Sequence, residues 1–225
     1  MYTNKYWKNR IVKHAVNENQ FICNFTKESV YLLGFIWGDG YVSNSGTNKQ
    51  IRIECLSDDI DSLIPIMKKT GAWCINNIQR KNRKPVKLAS TSNKELVEFL
   101  INNDYKKKSI KTPEKIWNLI PDDLKKYFIL GWIDADGCFY WNEKHKLRQF
   151  YISGSYEQNW NIFEELLKSL NIEYKIIRVI RKINKTKYSH IRITGKVNIN
   201  KLGDYIFDDI IPFQRKYEKY KLIIN

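Results

Sequence analysis

The chain has 225 residues, 43% of them hydrophobic, enough for one large domain or two small ones around a real core. Lys and Arg number 39 against 24 Asp and Glu, a formal net charge of +15, so a compact globule repels itself unless a polyanion neutralises it; nucleic acid is the first candidate and an anionic membrane surface the second. The apolar runs are far too short to span a bilayer, and residues 1–10 lack the apolar stretch of a secretory signal. The four cysteines (Cys23, Cys55, Cys74, Cys138) form no C-x-x-C and read as reduced thiols, and the three histidines (His14, His145, His190) are isolated, which argues against a zinc site or a His-based nuclease.

Residues 1–27 are polar and basic with interspersed aromatics (Tyr6, Trp7, Phe21, Phe25) and read as an arm that packs on the surface, the favoured reading, or reaches a phosphate backbone. A helix is predicted from Thr26 or Glu28 through the apolar run 31–37, stopped at Gly38-Asp39-Gly40 by a glycine free to adopt positive φ. A hairpin follows, with strands at 41–43 and 50–56 around the Asn- and Gly-rich turn 44–48. Ile51, Ile53 and Cys55 alternate with Gln50, Arg52 and Glu54, the pattern of a half-buried strand. Asp58 and Asp59 open a second helix, in which Pro65 predicts an irregularity. A second hairpin spans 73–91 and carries four positive charges within 79–84. A helix over 93–102 closes the unit.

Residues 103–120 read as a connection. Pro121 with Asp122 and Asp123 predicts the next helix start, with Pro at the first helical position and acids in the first turn. That helix runs through 127–133 into Asp134-Ala135-Asp136-Gly137. Strands are predicted at 138–143 and 148–154, a helix at 157–170, strands at 174–183 and 189–194, and helix over 198–224 with a break near Pro212. The order of the first unit is repeated. Val86-Lys87-Leu88 falls against Ile191-Arg192-Ile193, and the offset drifts from 97 (Gly34 to Gly131) to 108 (Lys108 to Lys216), as loop insertions produce. The expected organisation is an extension (1–27), a first half (28–105), a linker (106–120) and a second half (121–225).

Small residues sit four apart in both apolar runs: Gly34 and Gly38, then Gly131 and Ala135. Positions i and i+4 share a helix face, so two such faces let two backbones approach closely. Packed that way, the helices bring Asp39 and Asp136 side by side at the same end. Two carboxylates there face each other and the negative ends of two helix dipoles, which disfavours joint ionisation. A divalent cation relieves the conflict, and hard oxygen ligands suit Mg²⁺. A single Asp-Gly reads as a mere C-terminal turn; two with the same spacing favour the metal site.

The stretch Ile129-Leu130-Gly131-Trp132-Ile133-Asp134-Ala135-Asp136-Gly137 closely resembles the signature of the LAGLIDADG homing endonucleases. Leu32-Leu33-Gly34-Phe35-Ile36-Trp37-Gly38-Asp39-Gly40 resembles it more loosely, with Trp37 in place of the first Asp and Gly38 in place of Ala. The resemblance implies an α+β fold of two pseudo-symmetric α-β-β-α-β-β-α halves, each with an antiparallel sheet that forms a DNA-binding saddle. It implies a monomer, with Asp39 and Asp136 as metal ligands and the carbonyls of Gly38 and Ala135 as further ones. Lys108 and Lys216 match the places of catalytic lysines in relatives. The Gln or Lys that often follows the second strand in relatives is absent here, where Cys55-Leu56-Ser57 and Gly154-Ser155 stand. Asp134, without a counterpart at Trp37, reads as a helix-end or interface residue.

One face of each sheet must cover the helices. The other is expected to carry Gln50, Arg52, Arg80, Arg83 and Lys87 in the first half, and Gln149, Tyr151, Arg178 or Arg181, and Arg192 in the second. Arg and Gln on paired strands can contact base edges in the major groove. The implied function is Mg²⁺-dependent cleavage of both strands of a long asymmetric DNA target, in an intracellular location at DNA. An intron-RNA maturase and a cleavage-inactive DNA-binding regulator of the same fold are the alternatives.

Overall fold

In a computed structural model that describes residues 21, 22, 24–45, 48–80, 82–183 and 185–225, each half runs helix, hairpin, helix, hairpin, helix, and the second half adds one more helix at its end. The first half comprises α1 (Lys27–Asp39), β1 (Tyr41–Ser45), β2 (Asn48–Leu56), α2 (Ser57–Thr70), β3 (Cys74–Ile78), β4 (Val86–Thr91) and α3 (Lys94–Asn102). A short helix α4 (Glu114–Trp117) lies in the connection. The second half comprises α5 (Lys125–Asp136), β5 (Gly137–Asn142), β6 (Leu147–Ser155), α6 (Asn161–Ser169), β7 (Tyr174–Ile180), β8 (Lys187–Thr194), α7 (Lys196–Ile206) and α8 (Gln214–Ile224). Most of the sequence-predicted extension lies outside the described residues.

Helix α1 starts at a reciprocal cap: the Thr26 hydroxyl accepts from the Ser29 amide at 3.2 Å, and the Ser29 hydroxyl accepts from the Thr26 amide at 2.9 Å. Residues 30–37 of α1 and 127–134 of α5 are buried all round, the signature of a core helix. The two helices cross where they have no side chains. A methyl carbon built on Gly34 would lie 2.0 Å from the Phe128 carbonyl oxygen, and one on Gly131 would lie 2.0 Å from that of Tyr31. Gly131→Ala is therefore expected to force the helices apart and to destabilise the protein by about 3 kcal/mol, at the upper end of overpacking costs. Urea unfolding measures this; a variant with an unchanged midpoint contradicts the packing.

Both motif helices stop at a glycine, but not through positive φ. Gly40 (φ −75°, ψ 154°) and Gly137 (φ −86°, ψ 155°) are extended. The requirement is space: a methyl carbon on Gly40 would meet the Ile36 carbonyl oxygen at 2.5 Å, and one on Gly137 that of Ile133 at 2.7 Å. The chain turns straight off the helix into the first strand of each sheet.

Each sheet has four antiparallel strands, ordered β1-β2-β4-β3 and β5-β6-β8-β7. Ile51, Ile53 and Ala89 face inward from the first, and Phe139, Phe150, Ile152, Ile191 and Ile193 from the second. These side chains and the motif helices form one continuous core spanning both halves. Polar ties reinforce the joint. Arg215 of α8 makes a two-pronged bridge to Asp59 of α2 at 2.8 and 2.8 Å, and the amide of Asn159 donates to the carbonyl of Ile110 at 3.1 Å.

Several boundaries differ from the sequence expectation. Pro121 stays extended (φ −53°, ψ 144°) ahead of a 3-10 turn, Asp122–Leu124, and α5 begins only at Lys125. The turn closes because the Leu124 amide bonds to the Pro121 carbonyl at 2.9 Å. The connection holds its own 3-10 turn, Tyr105–Lys107, besides α4. Helix α6 starts four residues later than expected, at Asn161, because the Gln158 amide closes a turn on the Ser155 carbonyl at 3.2 Å. Pro65 does not interrupt α2; it lies on the exposed side, where solvent satisfies the carbonyl that a proline leaves free. No helix among the described residues is long and apolar enough to cross a membrane.

Candidate active site

The crossing of α1 and α5 sets the site. A methyl carbon on Gly38 would lie 2.4 Å from the Ala135 methyl and 2.9 Å from a carboxylate oxygen of Asp136. The small pair thus places Asp136 directly against the end of the opposite helix, beside Asp39. Burial, and then the charge of Asp39, push the Asp136 carboxyl up to about 6; a hydrogen bond from Trp132 works the other way. Asp39 is raised by burial, opposed by the Lys108 charge and by the thiol of Cys55, 3.8 Å from its carboxylate.

The two lysines cap the helix ends, and they do so differently. Lys108 Nζ donates to the carbonyls of Gly38 at 2.8 Å and Gly40 at 2.9 Å. The Tyr105 hydroxyl lies 2.9 Å from the Ile36 carbonyl and also contacts that of Gly40. In the second half Phe213 stands where Tyr105 stands, three residues before the lysine. It has no hydroxyl, and Lys216 reaches deeper. Its Nζ donates to Ile133 at 2.8 Å, Asp134 at 2.7 Å and Gly137 at 2.8 Å. Lys216 is only 7% exposed, and three carbonyls match the three N–H groups of an ammonium. Lys108 engages two carbonyls and borders a cleft of about 220 Å³ with Ser109, Asp136, Ser153 and Ser155. Burial lowers the pKa of both lysines, and the nearby carboxylates raise it.

The donor set fits a hard divalent cation. Among the described residues no three His, Cys, Asp or Glu side chains converge as a closed cage. Two carboxylates suit Mg²⁺, which keeps waters and takes phosphate oxygens in its remaining positions. The Gly38 carbonyl bonds Lys108 and keeps a second lone pair. Asp134 is not part of this set: it is 3% exposed and accepts from the Tyr31 hydroxyl at 2.8 Å across the helix joint.

The strand register sorts the basic residues. Gln50, Arg52, Gln149, Tyr151 and Arg192 lie on the faces turned away from the helices. Arg80 reaches the same face of the first sheet and pairs with Glu54 at 2.6 Å. The Arg181 guanidinium lies over the Tyr188 ring at 5.3 Å, on the outward side. Lys87 does not belong there. It stands opposite Cys55, two positions from inward Ala89, so the alternation puts it on the helix side, where it bonds Asp61 of α2 at 2.6 Å. Arg178 likewise stands opposite buried Ser189 and donates to the Tyr156 carbonyl at 3.2 Å. Arg83 is an exposed residue of the turn between β3 and β4, outside the strand ladder. Sequence reasoning missed Lys175, opposite Arg192, and His190, opposite Ser153, both outward; the alternation that selected Arg192 would have found His190. It also missed Tyr105 and Trp132, whose only signal is proximity to the motifs and to Lys108.

Two four-stranded saddles on a pair of crossed small-xxx-small helices, with an acid at each helix end, are the arrangement of the LAGLIDADG fold. Residues 123–206 match the family model described as a LAGLIDADG-like domain. The match lies within the second half, and the whole chain shares the fold of solved two-domain LAGLIDADG structures. Solved structures agree at low identity. The homing endonuclease I-WcaI bound to its DNA recognition sequence superposes with a TM-score of 0.57 at 18% identity, covering 90% of this chain and 91% of that one. I-DmoI in complex with DNA and Mn gives 0.50 at 19%, covering 82% and 98%. A glycine-to-serine variant of I-DmoI with its target DNA in the presence of 2 mM Mg gives 0.51 at 18%, covering 86% and 100%. No curated protein matches the sequence.

Proposed function

We propose that the protein is a monomeric, site-specific endonuclease of intron-homing type that hydrolyses both strands of one long, asymmetric DNA target. The observation that carries this reading is the pair of carboxylates, Asp39 and Asp136, brought to one end of the helix crossing by the close packing of Gly38 on Ala135, beneath two basic sheets. In this reading residues 28–105 and 121–225 each bind one half of the target, joined by 106–120 and preceded by the extension 1–27. The matched structures with bound DNA and with Mn or Mg support it by fold.

Asp39 and Asp136 hold the divalent cation, with the carbonyls of Gly38 and Ala135 beside them. Mg²⁺ supplies Lewis-acid charge to the scissile phosphate. Hydrolysis adds water across a P–O bond, the oxygen going to phosphorus and a proton to the leaving oxygen. The cleft beside Asp136 gives that water room, and the third N–H of Lys108 donates to a phosphate oxygen as its negative charge grows. Two unlike sheets in one chain read two unlike half-sites.

The test is cleavage of a randomised-site plasmid library with Mg²⁺ and with chelator, followed by sequencing of the ends. Recurrent Mg²⁺-dependent cuts within one long asymmetric sequence are expected. The second reading is an intron-RNA maturase. It is favoured by the outward, half-buried Tyr188 and His190 rings, stacked at 5.9 Å and 24°, since aromatic rings on an outer face suit unpaired RNA bases. Salt-sensitive binding of structured RNA, with no DNA cut, selects it.

A further inference from the structure

The two sheets present different chemistry at one equivalent position. The first residue after each motif glycine is Tyr41 in the first half and Cys138 in the second; Tyr41 pairs with Arg52, and Cys138 with Tyr151. The third residue is Ser43, paired with Gln50, and Tyr140, paired with Gln149. Gln50 and Gln149 therefore occupy one position of the duplicated fold, and Arg52 and Tyr151 occupy the next outward one. The glutamine is common to both halves; its neighbour is not.

In the first half the pair is built. Arg52 Nε donates to Gln50 Oε1 at 2.7 Å. That bond fixes the guanidinium plane and leaves its two terminal nitrogens outward on an exposed strand. Two parallel N–H groups held in a plane match the O6 and N7 acceptors of guanine in the major groove. In the second half the Tyr151 phenol is hydrogen-bonded with Cys138 and lies 6.2 Å, ring to ring, from His190. It has no donor fork to offer.

We propose that Arg52, oriented by Gln50, reads a guanine in one half-site, and that the Tyr151 position reads its mirror place without guanine preference. The target then departs from twofold symmetry at this base pair. The proposal rests on the DNA-binding reading above. Arg52 is the contacting residue, and Gln50 is a positioning residue.

The experiment is binding of the wild-type protein, in Ca²⁺ to prevent cutting, to a pool of all single-base variants of its selected target. One guanine is expected to be required in the first half-site. Replacing it with 7-deazaguanine, which lacks the N7 acceptor, should weaken wild-type binding about tenfold and leave Arg52→Ala unaffected. Gln50→Ala should narrow the preference for that guanine without erasing it. Tyr151→Arg rebuilds the pair beside Gln149 and should create a guanine preference at the mirror position. If Arg52→Ala instead weakens all sequences equally and flattens the salt dependence, Arg52 contacts phosphate and the inference falls. Specific binding with no guanine dependence also overturns it, while leaving the endonuclease reading intact. Absence of any specific duplex overturns that reading first.

Discussion

Asp136→Asn is expected to abolish cleavage, retain DNA binding and make the metal-free protein more stable at pH 8. The first effect follows from removing a ligand of the cation. Loss of several kcal/mol of charge stabilisation on the phosphate corresponds to about a thousandfold in rate. The second follows because Asn at this place leaves both outward sheet faces as they were. The third follows from linkage. The folded carboxyl is pushed up to about 6 from its ordinary 3.8 by burial and by Asp39, so between those pH values the folded state binds more protons than the unfolded one. Its contribution is present in full below the unfolded value and is lost as pH rises through 6. At about 1.4 kcal/mol per unit the loss by pH 8 is on the order of 1–3 kcal/mol. An amide carries no charge and escapes it. Urea midpoints in chelator at pH 5 and pH 8 should show an advantage of the variant that is larger at the higher pH, because pH 5 lies inside the window between the two values. Asp134, pushed up to about 7 by burial, contributes a slope of the same sign in both proteins, so the difference between them isolates Asp136. Asp39→Asn should lose cleavage likewise. A variant that cuts at the normal rate sinks the metal assignment; a wild-type protein of constant stability across this range sinks the electrostatic account.

The parts of the fold that were legible in the sequence are those with a repeating spacing. Gly34, Gly38, Gly131 and Ala135 announce a helix crossing because only small residues permit one, and the alternation through Ile51, Ile53 and Cys55 announces a half-buried strand. What was not legible depends on contacts between distant segments. The reason for Gly40 and Gly137 is the approach of a carbonyl one turn back, not a dihedral angle that sequence suggests. Lys87 and Arg178 sit in basic strands, but their side of the sheet is fixed by which residue faces them across the ladder. Arg181, three residues beyond Arg178, falls on the opposite face for the same reason. Tyr105 and Phe213 occupy matching places, yet nothing in the local sequence says that a missing hydroxyl will draw Lys216 onto a third carbonyl.

That last difference separates two lysines that the sequence makes equivalent. Lys216→Met should be chiefly a stability variant. It removes an ammonium that is 7% exposed and leaves the carbonyls of Ile133, Asp134 and Gly137 without their donor. The expected cost is about 2–4 kcal/mol, because the removed group held several buried acceptors at once. Lys108→Met should be chiefly a catalytic variant. Of its two acceptors, Gly38 lines the open cleft, where water can replace the ammonium, and the Gly40 carbonyl keeps the Tyr105 hydroxyl, while the donor to the phosphate oxygen is lost. About a hundredfold lower cleavage is expected, as for removal of one oxyanion donor, with a smaller shift in unfolding midpoint. The measurement is single-turnover cleavage of a target labelled separately on each strand, at a temperature where both variants are folded. Lys108→Met should slow the strand served by the Asp136 cleft far more than Lys216→Met slows either strand. Equal loss from both substitutions at unchanged stability would mean that Lys216 leaves its carbonyls when DNA binds, so that the two halves of the site act alike after all.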